Sequence, residues 1–254
     1  MPNFFKNFPV IGYNFGNESE PALFQNISAY IKVIDDIADN IAFYTTVHIQ
    51  DYDRPDNFSY KLYGTTEFYW TFYYLNDDIR ESGWPLPQQD LLPKAKVDYP
   101  NRAVTTTGNI SKTFLPGHTV TGSISGSTGT VIKRYLDLGQ IIIDSPNNFN
   151  AGENITPSIN GVEQTADFVV VKSEVAQYNS VHHYENSSKE YVDIGLVPAG
   201  TGTAAFPSLS LKTPVTYFER ILAKNDSLRE IKCLKPDIAA QIKTEFNKIL
   251  LKGN

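Results

Sequence analysis

The chain has 254 residues, enough for one large or two small domains with a buried core, and at 41% hydrophobic and 20% charged it is no disordered polyelectrolyte. A net charge of −6 with no cluster of Lys and Arg argues against a nucleic-acid reader, and no apolar run approaches the roughly 20 residues of a membrane span. A single cysteine, Cys233, excludes an intramolecular disulfide framework and fits a reducing cytoplasm; it reads as a small buried residue.

The N-terminal "MPNFFKNFPV" has neither a basic leader nor a long apolar stretch, so no signal peptide is expected there. "SEPALFQNISAYIKVIDDIADN" offers Ser19 as cap and Pro21 in the first turn. Leu23, Phe24, Ile27, Tyr30, Ile31, Ile34 and Ala38 follow at helical spacing, which predicts an amphipathic helix. Ile41 to Gln50 is β-branched and aromatic and predicts a strand. A short helix opens near Pro55 or Asp56 and closes at Gly64, and an aromatic helix over Thr66 to Leu75 ends at "NDD". The proline-studded segment from Trp84 to Pro100 leaves room for a helix over Gln88 to Leu92.

From Asn101 to about Tyr178 the composition turns to Gly, Thr, Ser and Val. Strands are predicted at His118 to Ile124, Gly129 to Leu136, Gln140 to Asp144 and Ala166 to Lys172, separated by the turn signals "GSTG", "SPNN" and "NAGEN". A hairpin across Asn186 to Ser188 follows, then a Gly/Pro/Ala loop to Ser210. Thr213 and Pro214 open a helix toward Leu228, "REIKCLK" alternates as a short strand, and Pro236 starts a last helix with Ile238, Ile242, Phe246, Ile249 and Leu250 on one face. The expected domains are 1–100, 101–178 and 179–254, the second being a small all-β module inserted in a helical chain.

"KLYGTTEFYWTFYYLND" (residues 61–77) carries seven aromatic rings: Tyr63, Phe68, Tyr69, Trp70, Phe72, Tyr73 and Tyr74. At about 3.6 residues per turn, Phe68, Phe72 and Leu75 share one helix face, Tyr69 and Tyr73 a second, and Trp70 and Tyr74 a third. Only Glu67 and Thr71 remain to meet water. Two short helices cannot enclose that many rings, so a neighbouring chain is expected to supply part of the cover. Tyr63, Phe68, Tyr69, Trp70, Tyr73, Tyr74, Trp84 and Phe246 are the interface candidates, since Tyr and Trp bury large rigid areas with a polar tip.

No catalytic constellation, cofactor site or metal site is read from the chain. His182 and His183 are adjacent in a predicted strand, which points their rings to opposite faces. "GSISGSTGT" (Gly122 to Thr130) lacks the Lys of a phosphate loop and the serine spacing of a nucleophile elbow, and reads as a turn. The pairs Asp35/Asp36 and Asp77/Asp78 sit at predicted helix ends among polar residues, where solvation or capping explains them. The chain is therefore not read as an enzyme.

"YGTTEFYWTFYYLND", with "DRPD" upstream and "GW" at Gly83 and Trp84, resembles the core of the small LysM-like baseplate wedge subunit of contractile-tailed phages of the T-even type, wedge protein fifty-three in that system. "FFKNFPVIGY", "LFQNISAYIK", "VHHYENSSKEYVD" and "LREIKCLKPDIAAQIKTEFNKIL" extend the likeness, in order, over roughly the first 100 and last 75 residues. The resemblance implies an α+β fold: a LysM-like strand-helix-helix core between N- and C-terminal helices, with the β module inserted. It implies a structural protein of the virion tail baseplate, assembled in the host cytoplasm. Such a subunit joins neighbouring wedges of a six-fold assembly, with other wedge proteins as partners and the sheath-initiating subunit as a candidate among them. The alternative is a LysM-type module binding peptidoglycan or chitin.

Overall fold

The computed structural model describes residues 10–16, 20–25, 41–108, 110–159, 161–192 and 212–252, with the side chains of 25, 41 and 245–252 left aside. The chain divides into two compact units, residues 1–87 with 224–254 and residues 88–223.

In the first unit, β1 (Val10–Tyr13) pairs antiparallel with β2 (Ala22–Gln25), Ile11 opposite Phe24 and Gly12 opposite Leu23. The helix expected from Ser19 is thus replaced, over the described part, by a strand. Cross-strand pairing claims Leu23 and Phe24 and overrides their helical spacing. Ile27, Tyr30, Ile31, Ile34 and Ala38 lie outside the described residues.

A single 3-10 turn at Ile41–Phe43 leads into β3 (Tyr44–His48). α1 (Pro55–Tyr63) starts on its proline and ends at Gly64, whose N–H donates to the Tyr60 carbonyl at 2.9 Å. The φ of 69° at Gly64 is the left-handed conformation that glycine adopts without steric cost. α2 (Tyr69–Leu75) follows, and the chain restarts as α3 (Asp77–Ser82) after one extended residue, Asn76. The partner of β3 comes from far along the sequence: β14, residues Glu230–Leu234, lies antiparallel to it with Ile231 opposite Val47 and Cys233 opposite Thr45.

The second unit opens with α4 (Gln88–Asp98), longer than expected because the helix runs through Pro93, giving up one backbone hydrogen bond. The strands that follow are β4 (Arg102–Thr106), β5 (Thr119–Gly122), β6 (Thr128–Tyr135), β7 (Gln140–Asp144), β8 (Asn154–Ile159), β9 (Val162–Glu163) and β10 (Val169–Ala176). Their order is β10-β4-β7-β6-β5-β8, with β10 also pairing with β8, so six antiparallel strands close a barrel and β9 only extends β8. Val104, Val120, Val131, Ile141, Ile143, Ile155, Val169 and Val171 fill its interior, joined by Ile110, Phe114 and Phe149 from the loops. A closed barrel leaves no strand edge open to aggregation, which suits a sheet built of short Thr- and Val-rich strands. β4 and β8 were not legible as strands: "RAVTT" and "NITPSI" are short, and Pro157 interrupts the second.

Beyond the barrel, β11 (Val181–Glu185), β12 (Tyr191–Val192) and β13 (Thr213–Thr216) form a three-stranded sheet with β11 central. Thr213 and Pro214 belong to β13, an edge strand where proline is tolerated, rather than to the helix start expected there. The helix is α5 (Tyr217–Ser227), and Thr216 caps it. Thr216 Oγ1 accepts from Glu219 N at 3.1 Å while Glu219 Oε2 accepts from Thr216 N at 2.7 Å. β14 and then α6 (Pro236–Lys252) complete the chain in the first unit.

The expected LysM-like strand-helix-helix core is overturned. The chain is a mixed fold, 31% helix and 34% strand, whose large sheet is the closed six-stranded antiparallel barrel. The local strand-helix-helix reading came from residues 41–77, and the LysM-like core from the resemblance. Three helices and a strand from residue 230 pack there, and long-range pairing places the sheet content elsewhere.

Candidate functional site

The aromatic helix α2 organises the first unit. Its rings divide between two apolar clusters, and Phe68 and Phe72, expected on one face, fall in different ones because the helix begins only at Tyr69. Trp70, Tyr74 and Leu75 pack with Phe68 against Leu234, Ala239 and Ile242 from β14 and α6. Tyr69 and Tyr73 pack on the other cluster, where Phe72 meets Phe58, Ile49, Ile79, Leu228, Ile231 and Cys233. Tyr63 borders both, stacking on Phe72 at 6.1 Å and meeting Phe68 edge-on at 5.4 Å.

Part of the cover for these rings therefore comes from the chain's own C-terminal strand and helix, elements remote in sequence. Thr71, expected to face water, is 2% exposed, its hydroxyl donating to the Phe68 carbonyl at 2.7 Å. That local bond satisfies the hydroxyl and lets Thr71 turn inward. Phe68 and Phe72 are fully buried, whereas Tyr63, Tyr69, Trp70, Tyr73, Tyr74 and Trp84 are half-buried. The side chain of Phe246 lies outside the described residues.

Polar tips anchor several rings. Tyr63 donates to the Leu234 carbonyl at 3.0 Å, and burial, followed by its neighbour Cys233, pushes its phenol well above the usual range. Burial, then Tyr69, raises the Tyr73 phenol. Trp84 packs edge-on or tilted against Phe58, Phe72 and Tyr73 at 5.8 to 6.1 Å while its indole N–H donates to the Asp53 carbonyl. Asp53 pairs with Lys61 and accepts from Gln50 N at 3.1 Å, so the turn before α1 is pinned to its last turn. The Cys233 thiol is pushed up to about 12 by burial, a thiol held protonated and unreactive.

A groove of about 420 Å³ runs beside β14, lined by Thr46, Leu75, Asn76, Asp78, Ile231 and Lys232 among others. Asp77 and Asp78 stand in the first turn of α3, where a helix favours negative charge, and pair with Arg80 at 2.9 Å and Lys224 at 3.4 Å. Both are exposed. Asp35 and Asp36 lie outside the described residues.

The β1–β2 ribbon bares an apolar surface. Every residue of β1 is exposed, Leu23 at 73% and Val10 at 60%, and Tyr13, Phe15 and Phe24 form a chain of edge-on rings 4.9 and 5.7 Å apart. The expected helix concealed this site, because amphipathic spacing would have turned Leu23 and Phe24 inward.

Comparison with protein-family models and with curated proteins finds no match to the chain. Among the described residues no helix is long and apolar enough to cross a membrane, and no cluster of three or more His, Cys, Asp or Glu could hold a metal ion.

The "GSISGSTGT" segment is the connection between β5 and β6. Gly122 N–H donates to the Ser127 carbonyl at 2.9 Å, and the loop wraps a buried carboxylate, Glu153, that sequence reasoning did not single out. His182 and His183 also depart from expectation. Their Nδ1 atoms lie 2.9 Å apart, because the ladder with β13 shifts register between Val181 and His183 and the bulge brings both rings together.

Proposed function

We propose that this chain is a structural subunit of a phage tail-baseplate wedge, bound to neighbouring wedge proteins through bare apolar surface. The assembly role rests on the β1–β2 ribbon. A two-stranded ribbon is at best marginally stable alone in water, and a contiguous exposed apolar patch marks a surface that another protein covers. Leu23, Phe24, Tyr13 and Phe15 form such a patch, with no Lys or Arg between Val10 and Gln25 to solvate it.

The choice of assembly rests on the resemblance carried by "YGTTEFYWTFYYLND" and by "FFKNFPVIGY", whose end is β1 itself. On this reading the half-buried Tyr69, Trp70, Tyr73 and Tyr74 keep one side for their own core and offer the other to a partner. The partners are other wedge proteins, with the sheath-initiating subunit a candidate, and the location is the tail baseplate after assembly in the host cytoplasm. The glycan-binding alternative was inferred from a LysM-like core and loses that footing.

Co-expression with the neighbouring tail genes followed by size exclusion tests the proposal. The wild-type chain should co-elute with at least one wedge protein. Leu23→Asp should lose that co-elution with an unchanged melting temperature, because the side chain is 73% exposed, while Lys133→Ala in the barrel should retain it. Elution of the wild-type chain alone, or equal behaviour of the two variants, counts against it.

A further inference from the structure

Four side chains of the second unit form one continuous line. Arg220 Nη1 of α5 lies 2.8 Å from His182 Nε2, His182 Nδ1 lies 2.9 Å from His183 Nδ1, and His183 Nε2 lies 3.1 Å from Glu185 Oε1. A guanidinium has donors and no acceptor, so His182 Nε2 must present its lone pair to Arg220. The hydrogen of His182 then sits on Nδ1 and is donated to His183 Nδ1. That nitrogen must be bare, so the hydrogen of His183 sits on Nε2, directed at the Glu185 carboxylate. Only one assignment satisfies every link, and in it both imidazoles are neutral.

Adding a proton breaks the line wherever it lands. On His182 Nε2 it sets an N–H against the guanidinium, and on His183 Nδ1 it sets two N–H groups face to face at 2.9 Å. We infer that the Arg220–His182–His183–Glu185 line is a proton-sensitive latch that fastens the start of α5 to β11 near neutral pH and lets go on acidification.

The surroundings favour the neutral rings. Burial, then Arg220, His183 and Lys133 of β6, hold His182 below the ordinary histidine value. Glu185 faces His183 Nε2 at 3.1 Å. The other titratable neighbours are phenols: Tyr217 lies edge-on to His182 at 4.8 Å, Tyr191 of β12 stacks on His183 at 5.1 Å, and Tyr99 packs on Tyr217 at 4.6 Å. Tyr135 of β6 bonds to Tyr217, whose phenol burial pushes far up, so Tyr217 stays uncharged throughout the working range. A histidine held below its unfolded value near 6.5 contributes stability that is complete above that pH and is lost as pH falls beneath it.

Long-range 1H–15N imidazole correlation spectra of the full chain from pH 8 to 5 test the latch. At pH 7.5 His182 should carry its hydrogen on Nδ1 and His183 on Nε2. Both patterns should vanish in one coupled step below pH 6.5, with amide exchange in β11 and the first turn of α5 rising at the same pH. Arg220→Met frees His182 Nε2 and should raise its titration by on the order of one pH unit, a tenfold change in proton affinity. If that variant does not fold, Glu185→Gln removes the carboxylate that faces His183 Nε2 and should move the transition to lower pH. Either ring in the opposite tautomer or doubly protonated at pH 7.5, or a transition unmoved by the variant that folds, overturns the proposal.

Discussion

Glu153 carries a full negative charge at 1% exposure, a placement that only dense hydrogen bonding supports. It accepts from the backbone N–H of Ile124 at 3.0 Å, of Ser125 at 2.8 Å and of Asn150, and from the Ser125 hydroxyl. Burial alone would push its carboxyl up, but the backbone bonds from Ser125, Asn150 and Ile124 outweigh that and hold it below the ordinary value. Gly122 makes room: a Cβ there would stand 2.5 Å from Ser125 Oγ and 2.7 Å from Glu153 Oε2. Glu153→Gln places an amide N–H among these donors and should cost about 1–3 kcal/mol in urea unfolding near pH 7. A carboxyl depressed in the fold contributes stability that is present above its unfolded value and lost as pH falls through the folded one. The wild-type advantage over Glu153→Gln should therefore shrink as the acid range is entered. The "GSTG" and "NAGEN" turns were legible, but not the bond from Ser125 to Glu153, because it joins residues 28 apart whose approach depends on barrel closure.

At the scale of elements, side chains finish what the backbone leaves open. Asn76 stands between α2 and α3, and its amide seals the outer edge of β14. Oδ1 accepts from Lys232 N at 2.8 Å, and Nδ2 donates to the Lys232 carbonyl at 2.9 Å and to Phe72 O at 2.8 Å. One side chain thus imitates a neighbouring strand and ties the end of the aromatic helix to the sheet. Asn76→Ala should lower stability by about 1–3 kcal/mol in a thermal or urea melt, and Asn76→Asp should fail to restore it because a carboxylate has no N–H for the carbonyls. The helices α1, α2 and α6 were legible because spacing and punctuation are local properties, Pro55 before and Gly64 after α1 being the plainest case. The segment at Leu23 and Phe24 misled because helical spacing, even continued to Ala38, carries no sign of the β1 partner that claims its first residues.

On the scale of the whole molecule, the first unit is closed by residues from the far end of the chain. Ile231, Cys233 and Leu234 of β14 enter both apolar clusters around α2, Ala239 and Ile242 of α6 cover Phe68, and Arg229 bonds to the carbonyls of Ile49 and Leu86. Truncation after Ser227 should abolish cooperative unfolding of the α1–α3 region while amides of β4, β7 and β10 in the barrel keep their exchange protection, as read by hydrogen exchange with mass spectrometry. Loss of protection in both regions together would refute that division of the fold.

By itself the amino-acid order determined the local elements and the unusual aromatic load of α2: the strand at Tyr44–His48, the turn at Gly64, the strand at Glu230–Leu234 and the last helix. Each is written in the identity of near neighbours. Tertiary structure decided where the rings found cover, that β10 closes on β8, and that two histidines meet rather than diverge. These outcomes turn on strand register and on contacts between residues as much as 193 apart, such as Ala42 and Lys235, and no local pattern encodes which distant partner will arrive.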